Sequence, residues 1–284
     1  MNLIISRLFK SLLFTVLVLS QLQAPVRAAD QDGTLVFGFL PILSTQKLVT
    51  RFNPLVDHLS EAIDQPIRME TAPDYAEFLR RTKEKRYDIV FTAPHFYYLA
   101  NKESGYKVLV RVNATDLKAI IVATRVSGIS RLSQLRGKRI ATPDPLSLGA
   151  ALIRDTLRKA GLDPDKDLTI VSTPSHNAAL LTAFNGVTEA AGLMIPPYER
   201  ASVAVHNQMV TLGTTVGTPH MPIAVSPSVA PDLAENIAES LVSLSNTETG
   251  RLMFKRLAWP TGLIRATNSE YAPLKDIATE MHVE

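Results

Sequence analysis

Cysteine is missing from this chain. Its absence excludes disulfides, a thiolate metal site and a lipid-modified N-terminal cysteine. Long apolar runs are missing as well once the first residues are set aside, for no later segment approaches the roughly 20 apolar residues that a membrane span needs. No G-x-S-x-G elbow, H-x-x-x-H pair, phosphate loop or dinucleotide fingerprint occurs. The usual sequence marks of a serine hydrolase, a zinc site and a nucleotide cofactor are therefore lacking, and no cofactor or metal is expected. Low-complexity stretches are lacking too. With 284 residues, 46% of them hydrophobic, the chain is long enough for one or two compact domains with real cores.

What is present begins with a leader. Arg7 and Lys10 precede the apolar run Leu12 to Leu19, and Val26-Arg27-Ala28 offers small residues where a signal peptidase reads. Cleavage is expected after Ala28, with residues 1–28 as signal peptide. Three of the 30 basic residues, Arg7, Lys10 and Arg27, fall in this leader, which leaves 27 basic against 27 acidic. The mature chain is balanced, so its charge points neither to nucleic acid nor to an acidic membrane. An exported protein with neither lipid nor crosslink fits a bacterial periplasm.

The mature part alternates strands and helices. Thr34 to Leu40 reads as a strand, and the next helix carries Leu48, Phe52, Leu55, Leu59 and Ile63 on one face. Ile67, Met69 and Thr71 alternate as a second strand. Asp74, with Glu77 three residues on, opens the next helix. The stretch Tyr87 to Ala100, YDIVFTAPHFYYLA, reads as strand, tight turn and helix start. A second set follows, with strands at Ala119 to Thr124, Arg139 to Ala141, Leu168 to Val171 and Glu189 to Ile195. Helices open after Ser147 and at His176. This is the rhythm of mainly parallel sheets in an α/β fold, repeated as two similar lobes. The boundaries expected are 29–118 and 218–284 for lobe 1 and 119–217 for lobe 2. Chain crossings fall near Thr115 to Ala119 and Gly213 to Met221, and the part beyond Val225 is expected to be all helical. Each lobe also has a carboxylate opening an apolar strand, Asp88 and Glu189.

In open α/β sheets ligands gather at the carboxyl ends of strands, where the first N–H groups of a helix lack intrahelical partners and suit anions. Ser44 and Thr45 stand at such a place after the first strand. Thr92 and Tyr97 stand at another, and Ser147, beside Gly149, at a third. His176 opens a fourth helix. Each has a plainer reading as a helix cap or packing residue. Ser147, His176 and Asp144 could also be written as a hydrolase triad, without the elbow that would support it.

Several runs in this order resemble the periplasmic phosphonate, phosphate and phosphite binding proteins, a branch of the type 2 solute-binding fold. The carriers are Asn53-Pro54-Leu55, Asp74-Tyr75, Asp88-Ile89-Val90, Ala93-Pro94-x-x-Tyr97, Gly128-Ile129 to Leu135-Arg136-Gly137-Lys138, Asp144-Pro145-x-Ser147, Ser175-His176-Asn177-Ala178-Ala179 and Pro231-Asp232-Leu233. The resemblance implies two lobes that close on a small oxyanion and deliver it, as a monomer, to an inner-membrane ABC permease. A membrane sensor kinase could read the same closure. It also implies Tyr75 and Tyr97 as lobe-one aromatic contacts, with Thr142, Ser147 and His176 on lobe two. Tyr75 shares its helix with Phe78 and Leu79, which fits a core role equally. Glu189 stands where the family often has an aspartate that meets a ligand amine. The family's D-P-x-S-T-S-G run appears as Asp144-Pro145-Leu146-Ser147-Leu148-Gly149-Ala150, with two of three hydroxyls gone. At about 1.5 to 3 kcal/mol per hydrogen bond to a charged group, that loss bears on which ligand is taken.

Overall fold

In the computed structural model, which describes residues 33–281, the first strand explains why its sequence is an unbroken apolar run. Strand β1 (Leu35–Phe39) is buried at every position because it lies inside a sheet with helices on both faces. Helix α1 (Thr45–Ala62) turns Leu48, Phe52, Leu55 and Leu59 inward, while Ile63 falls at its C-cap. Strand β2 (Ile67–Thr71) pairs in parallel with β1. Helix α2 (Tyr75–Lys83) is capped by Asp74, which accepts the Glu77 N–H at 2.8 Å. Strand β3 (Ile89–Phe91) pairs with the other side of β1, and α3 (Pro94–Ser104) starts on a proline, whose missing N–H costs nothing there. Strand β4 (Lys107–Val112) ends this part. The expected leader and its cleavage point after Ala28 lie outside the described residues.

The second set comprises β5 (Ala119–Thr124), β6 (Arg139–Thr142), α4 (Leu148–Lys159), β7 (Thr169–Ser172), α5 (His176–Phe184), β8 (Ala190–Met194), α6 (Ile195–Glu199), α7 (Val203–Gln208) and β9 (Met209–Thr214). The chain then returns through β10 (Pro222–Val225), α8 (Pro231–Leu244), α9 (Glu248–Arg256), β11 (Leu263–Arg265) and α10 (Lys275–Thr279). The sheet orders are β11-β4-β10-β3-β1-β2 and β7-β6-β8-β5-β9. Both are mixed, with β10 antiparallel to β3 in one and β5 antiparallel to β8 in the other. Laid side by side, β2-β1-β3-β10-β4 corresponds to β7-β6-β8-β5-β9. The two lobes are thus versions of one plan, flanked by helices as the alternating pattern predicts.

Strand β11 corrects the expectation of an all-helical end. Three residues are too short to show periodicity, and what makes them a strand is the open edge of β4, with which they pair antiparallel. The segments joining the sheets, 113–118 and 215–221, run beside each other. Leu117 and Thr218 exchange N–H···O bonds of 2.9 and 3.0 Å there. One apolar cluster gathers Phe39, Phe52, Phe91 and Trp259 between the first sheet and α1 and α8. Ring centroids are 4.9 Å apart for Phe39–Phe52 and 5.1 Å for Phe91–Trp259. No helix among the described residues is long and apolar enough to cross a membrane.

Candidate functional site

The parallel strands aim their carboxyl ends at one cleft between the lobes, of about 330 Å³. Its walls come from Leu40 just after β1, the start of α2 at Tyr75, Ala93 to Phe96 at the start of α3, the starts of α4 and α5, and Met194 at the end of β8. A larger hollow, about 800 Å³, lies on the outer flank against α2, α3 and α10. It is lined only by helices and helix ends, without a strand end opening into it, so the cleft is the better candidate.

Helix starts supply the polar side of the cleft. Ser147 is the N-cap of α4, and its Oγ accepts the Ala150 N–H at 3.2 Å. Its hydroxyl hydrogen stays available, so capping and ligand contact are compatible. The next N–H groups, on Leu148 and Gly149, have no carbonyl to take them within the helix. His176 opens α5 behind the cap Ser175. Its Nδ1 accepts the Met194 N–H at 3.4 Å, which puts the ring proton on Nε2 as a donor. Gly149 allows this approach, because a Cβ there would stand 3.0 Å from His176 Cε1.

His95 is fully buried in the same wall, and its Nε2 lies 2.9 Å from the Leu146 carbonyl. A carbonyl only accepts, so Nε2 carries the hydrogen, and the bond ties α3 of one lobe to the loop before α4 of the other. Nδ1 is buried without a hydrogen-bond partner. Burial lowers the pKa of His95 to about 4, against the favourable pull of the Leu146 carbonyl. Burial, aided by the Arg200 charge, lowers His176 to about 4 as well. Both rings are neutral donors near neutral pH. Burial, reinforced by Asp144, pushes the Tyr75 phenol up to about 12, so it too keeps its proton. Among the described residues no carboxylate lines the cleft, and the exposed Arg200 supplies a positive charge at its wall.

Of the nine residues singled out from sequence, Tyr75, Ser147 and His176 meet here. The others do not. Ser44 and Thr45 start α1 but are exposed and are not among the residues that line the cleft. Thr92 is buried below that wall, with its Oγ1 lacking a hydrogen-bond partner. Tyr97 is a core residue. Its hydroxyl bonds Asn268 Oδ1 at 2.5 Å and accepts the Val108 N–H at 2.9 Å. The cause is helical phase: successive residues turn by about 100°, so Tyr97 faces opposite His95. Thr142 is buried and donates to the Pro143 carbonyl at 3.2 Å. Glu189 accepts from the Arg139 N–H at 2.9 Å and pairs with its guanidinium at 2.8 Å. It sits before β8, at the end of the sheet away from the cleft.

Sequence reasoning missed His95, Arg200 and the apolar lining. His95 was within reach, since it belongs to the Thr92 to Tyr97 turn and only the helix phase had to be applied. The triad reading fails on geometry. His176 Nδ1 takes a backbone N–H, and Asp144 Oδ1 accepts from Leu146 N at 2.8 Å, so no carboxylate orients the imidazole. Among the described residues no group of three or more His, Asp or Glu could hold a metal ion.

Comparison with known proteins adds to this geometry. Residues 37–271 match the family model described as the periplasmic substrate-binding protein of a phosphonate ABC transporter. The phosphonates-binding periplasmic protein of Escherichia coli K12 is 24% identical over 157 residues, 52% of this chain; the alignment spans 46% of that relative's length. PhnD1 of Prochlorococcus marinus, solved with methylphosphonate, superposes with a TM-score of 0.74 at 14% identity, over 89% of this chain and 100% of its own. A Xanthomonas citri protein solved with ATP gives a TM-score of 0.75 at 17% identity, over 89% and 100%. A Pseudomonas aeruginosa binding component of a phosphonate transporter gives 0.71 at 16%, over 87% and 85%. At these identities the solved structures speak to the fold, a two-lobe type 2 periplasmic binding protein.

Proposed function

The chain belongs to the family of periplasmic phosphonate-binding proteins of ABC transporters, and from that membership we infer that it captures a small oxyanion, phosphonate-like, in the cleft between its lobes. The observation that carries the reading is the convergence of uncharged donors on one space. Ser147 and the free N–H groups of α4, the Nε2–H of His176 and the Tyr75 phenol can bond an oxyanion without burying a countercharge. Arg200 adds long-range attraction from the cleft wall. Delivery to an inner-membrane permease, location in the periplasm and action as a binder instead of an enzyme follow from the family and form part of the proposal. The segments paired at Leu117 and Thr218 would serve as the hinge, and the His95–Leu146 bond as one contact made on closure.

Calorimetry and thermal shift of the chain from Ala29 onward, against methylphosphonate, phosphite, phosphate and sulfate, test this directly. A ligand at 100 times its dissociation constant should stabilise the fold by about 2.7 kcal/mol. Stabilisation by an uncharged solute with none from any of these anions would sink the oxyanion reading.

A further inference from the structure

We propose that the ligand of this cleft is an oxyanion carrying an apolar body of several carbon atoms, an alkyl or aryl oxyanion without an amine; this rests on the reading of the cleft as an oxyanion site. The donors occupy only part of the lining. Twelve of the eighteen lining residues are apolar. They come from both lobes and from both connecting segments: Leu40 and Ile42 on one side, Leu148 and Met194 on the other, Leu117 and Met221 between them. Leu148 directly follows the capping Ser147, and both line the cleft. The volume is about 330 Å³. A headgroup with a single methyl would leave much of that space as water against hydrocarbon.

The charges agree with this chemistry. An ammonium on the ligand is best met by a carboxylate; none of the described lining residues carries one, and Asp144, whose charge reaches Tyr75, stands outside the lining with its Oδ1 taken by the Leu146 N–H. Glu189, the residue that the family resemblance offers for an amine, is held by Arg139 at the far end of its sheet. Arg200 makes no ion pair with a described carboxylate and stands beside His176, where it favours the anionic end of a ligand. Ile42, at 41% exposure, extends the apolar wall to the surface. Two of the wall residues, Met194 and Met221, have flexible side chains suited to tails of varied shape.

The test is isothermal calorimetry of the chain from Ala29 onward with methyl-, propyl-, pentyl- and phenylphosphonate, 2-aminoethylphosphonate and 1-pentanol. Affinity should rise roughly fourfold for each methylene that enters the cleft. The aminoethyl compound, which has an ammonium where the propyl compound has a methyl, should bind at least tenfold more weakly than the propyl one. Leu148→Ser should flatten the dependence on chain length and shift preference towards methylphosphonate. Equal binding of methyl- and pentylphosphonate, or tighter binding of the aminoethyl compound, would overturn the apolar-body proposal and leave the oxyanion reading standing. Silence from every phosphonate, or pentanol binding as tightly as pentylphosphonate, would overturn the oxyanion reading and this inference with it.

Discussion

A serine that caps a helix and faces a cleft can be tested by changing what it carries without removing the cap. Aspartate caps about as well as serine and suits the positive end of a helix. Ser147→Asp should therefore leave the melting temperature unchanged or higher while abolishing anion binding. Ser147→Ala should cost about 1 kcal/mol of stability and weaken binding about tenfold. Retained binding in the aspartate variant, measured by calorimetry, would place the anion elsewhere. Tyr97 is the converse case. Tyr97→Phe removes the hydroxyl that Asn268 and the Val108 N–H share, so about 1 to 3 kcal/mol of stability should go, with ligand affinity unaltered. Urea unfolding and calorimetry on the same variant separate the two effects. These pairs also mark what could be read from residues alone. The helix-start position of Ser147 was legible because a cap is local, and the inward turn of Tyr97 follows from helix phase, whereas the partner of its hydroxyl, 171 positions away, could not be read.

Elements carry the next layer of legibility. Strand and helix order followed from pattern, as did the Asp74 cap. The faint correspondence between Asp88 and Glu189 has a structural meaning that sequence could not supply. Asp88 Oδ2 accepts the Val36 N–H of β1 at 2.8 Å, and Glu189 does the same for Arg139 of β6 at 2.9 Å. Each satisfies an N–H at or next to the start of a strand, so both carboxylates serve the scaffold. Glycines inside strands give a sharper contrast. A Cβ on Gly38 of β1 would stand 2.4 Å from Cγ of the Tyr87 ring, which is itself stacked on Phe78 with centroids 5.3 Å apart. A Cβ on Gly192 of β8 would stand 2.4 Å from Cδ1 of Ile153, the far end of a buried side chain that can turn about its last bond. Gly38→Ala should cost about 3 kcal/mol or more, and Gly192→Ala about 1 kcal/mol or less, by urea unfolding. Equal costs would mean that the ring yields as readily as a methyl group.

At the scale of the whole molecule, buried imidazoles set the response to acid. Burial lowers His95, His176 and His220 to about 4, from an ordinary value near 6.5. Between those values the unfolded chain binds protons that the folded chain does not, so stability is full above pH ~6.5 and falls towards pH ~4. His95 alone accounts for up to about 3 kcal/mol of that loss. His95→Gln keeps a donor for the Leu146 carbonyl and removes the titration. Thermal melts between pH 7 and 4.5 should show a clearly shallower slope for this variant. The same slope in both proteins would shift the effect to His176 and His220.

Strand order carries one more consequence, for the route by which the protein folds. In the first sheet β4 pairs, among the described residues, only with β10 and β11, so that lobe keeps a gap until residues 222–225 have joined it. The second sheet draws all five of its strands from residues 119–214. The sheet that comes later in the chain is thus the first that can finish. Pulsed hydrogen exchange during refolding should find β8 amides protected ahead of those in β4. A chain stalled before β10 would hold one complete sheet, and a presented edge on the other waiting for its missing strand.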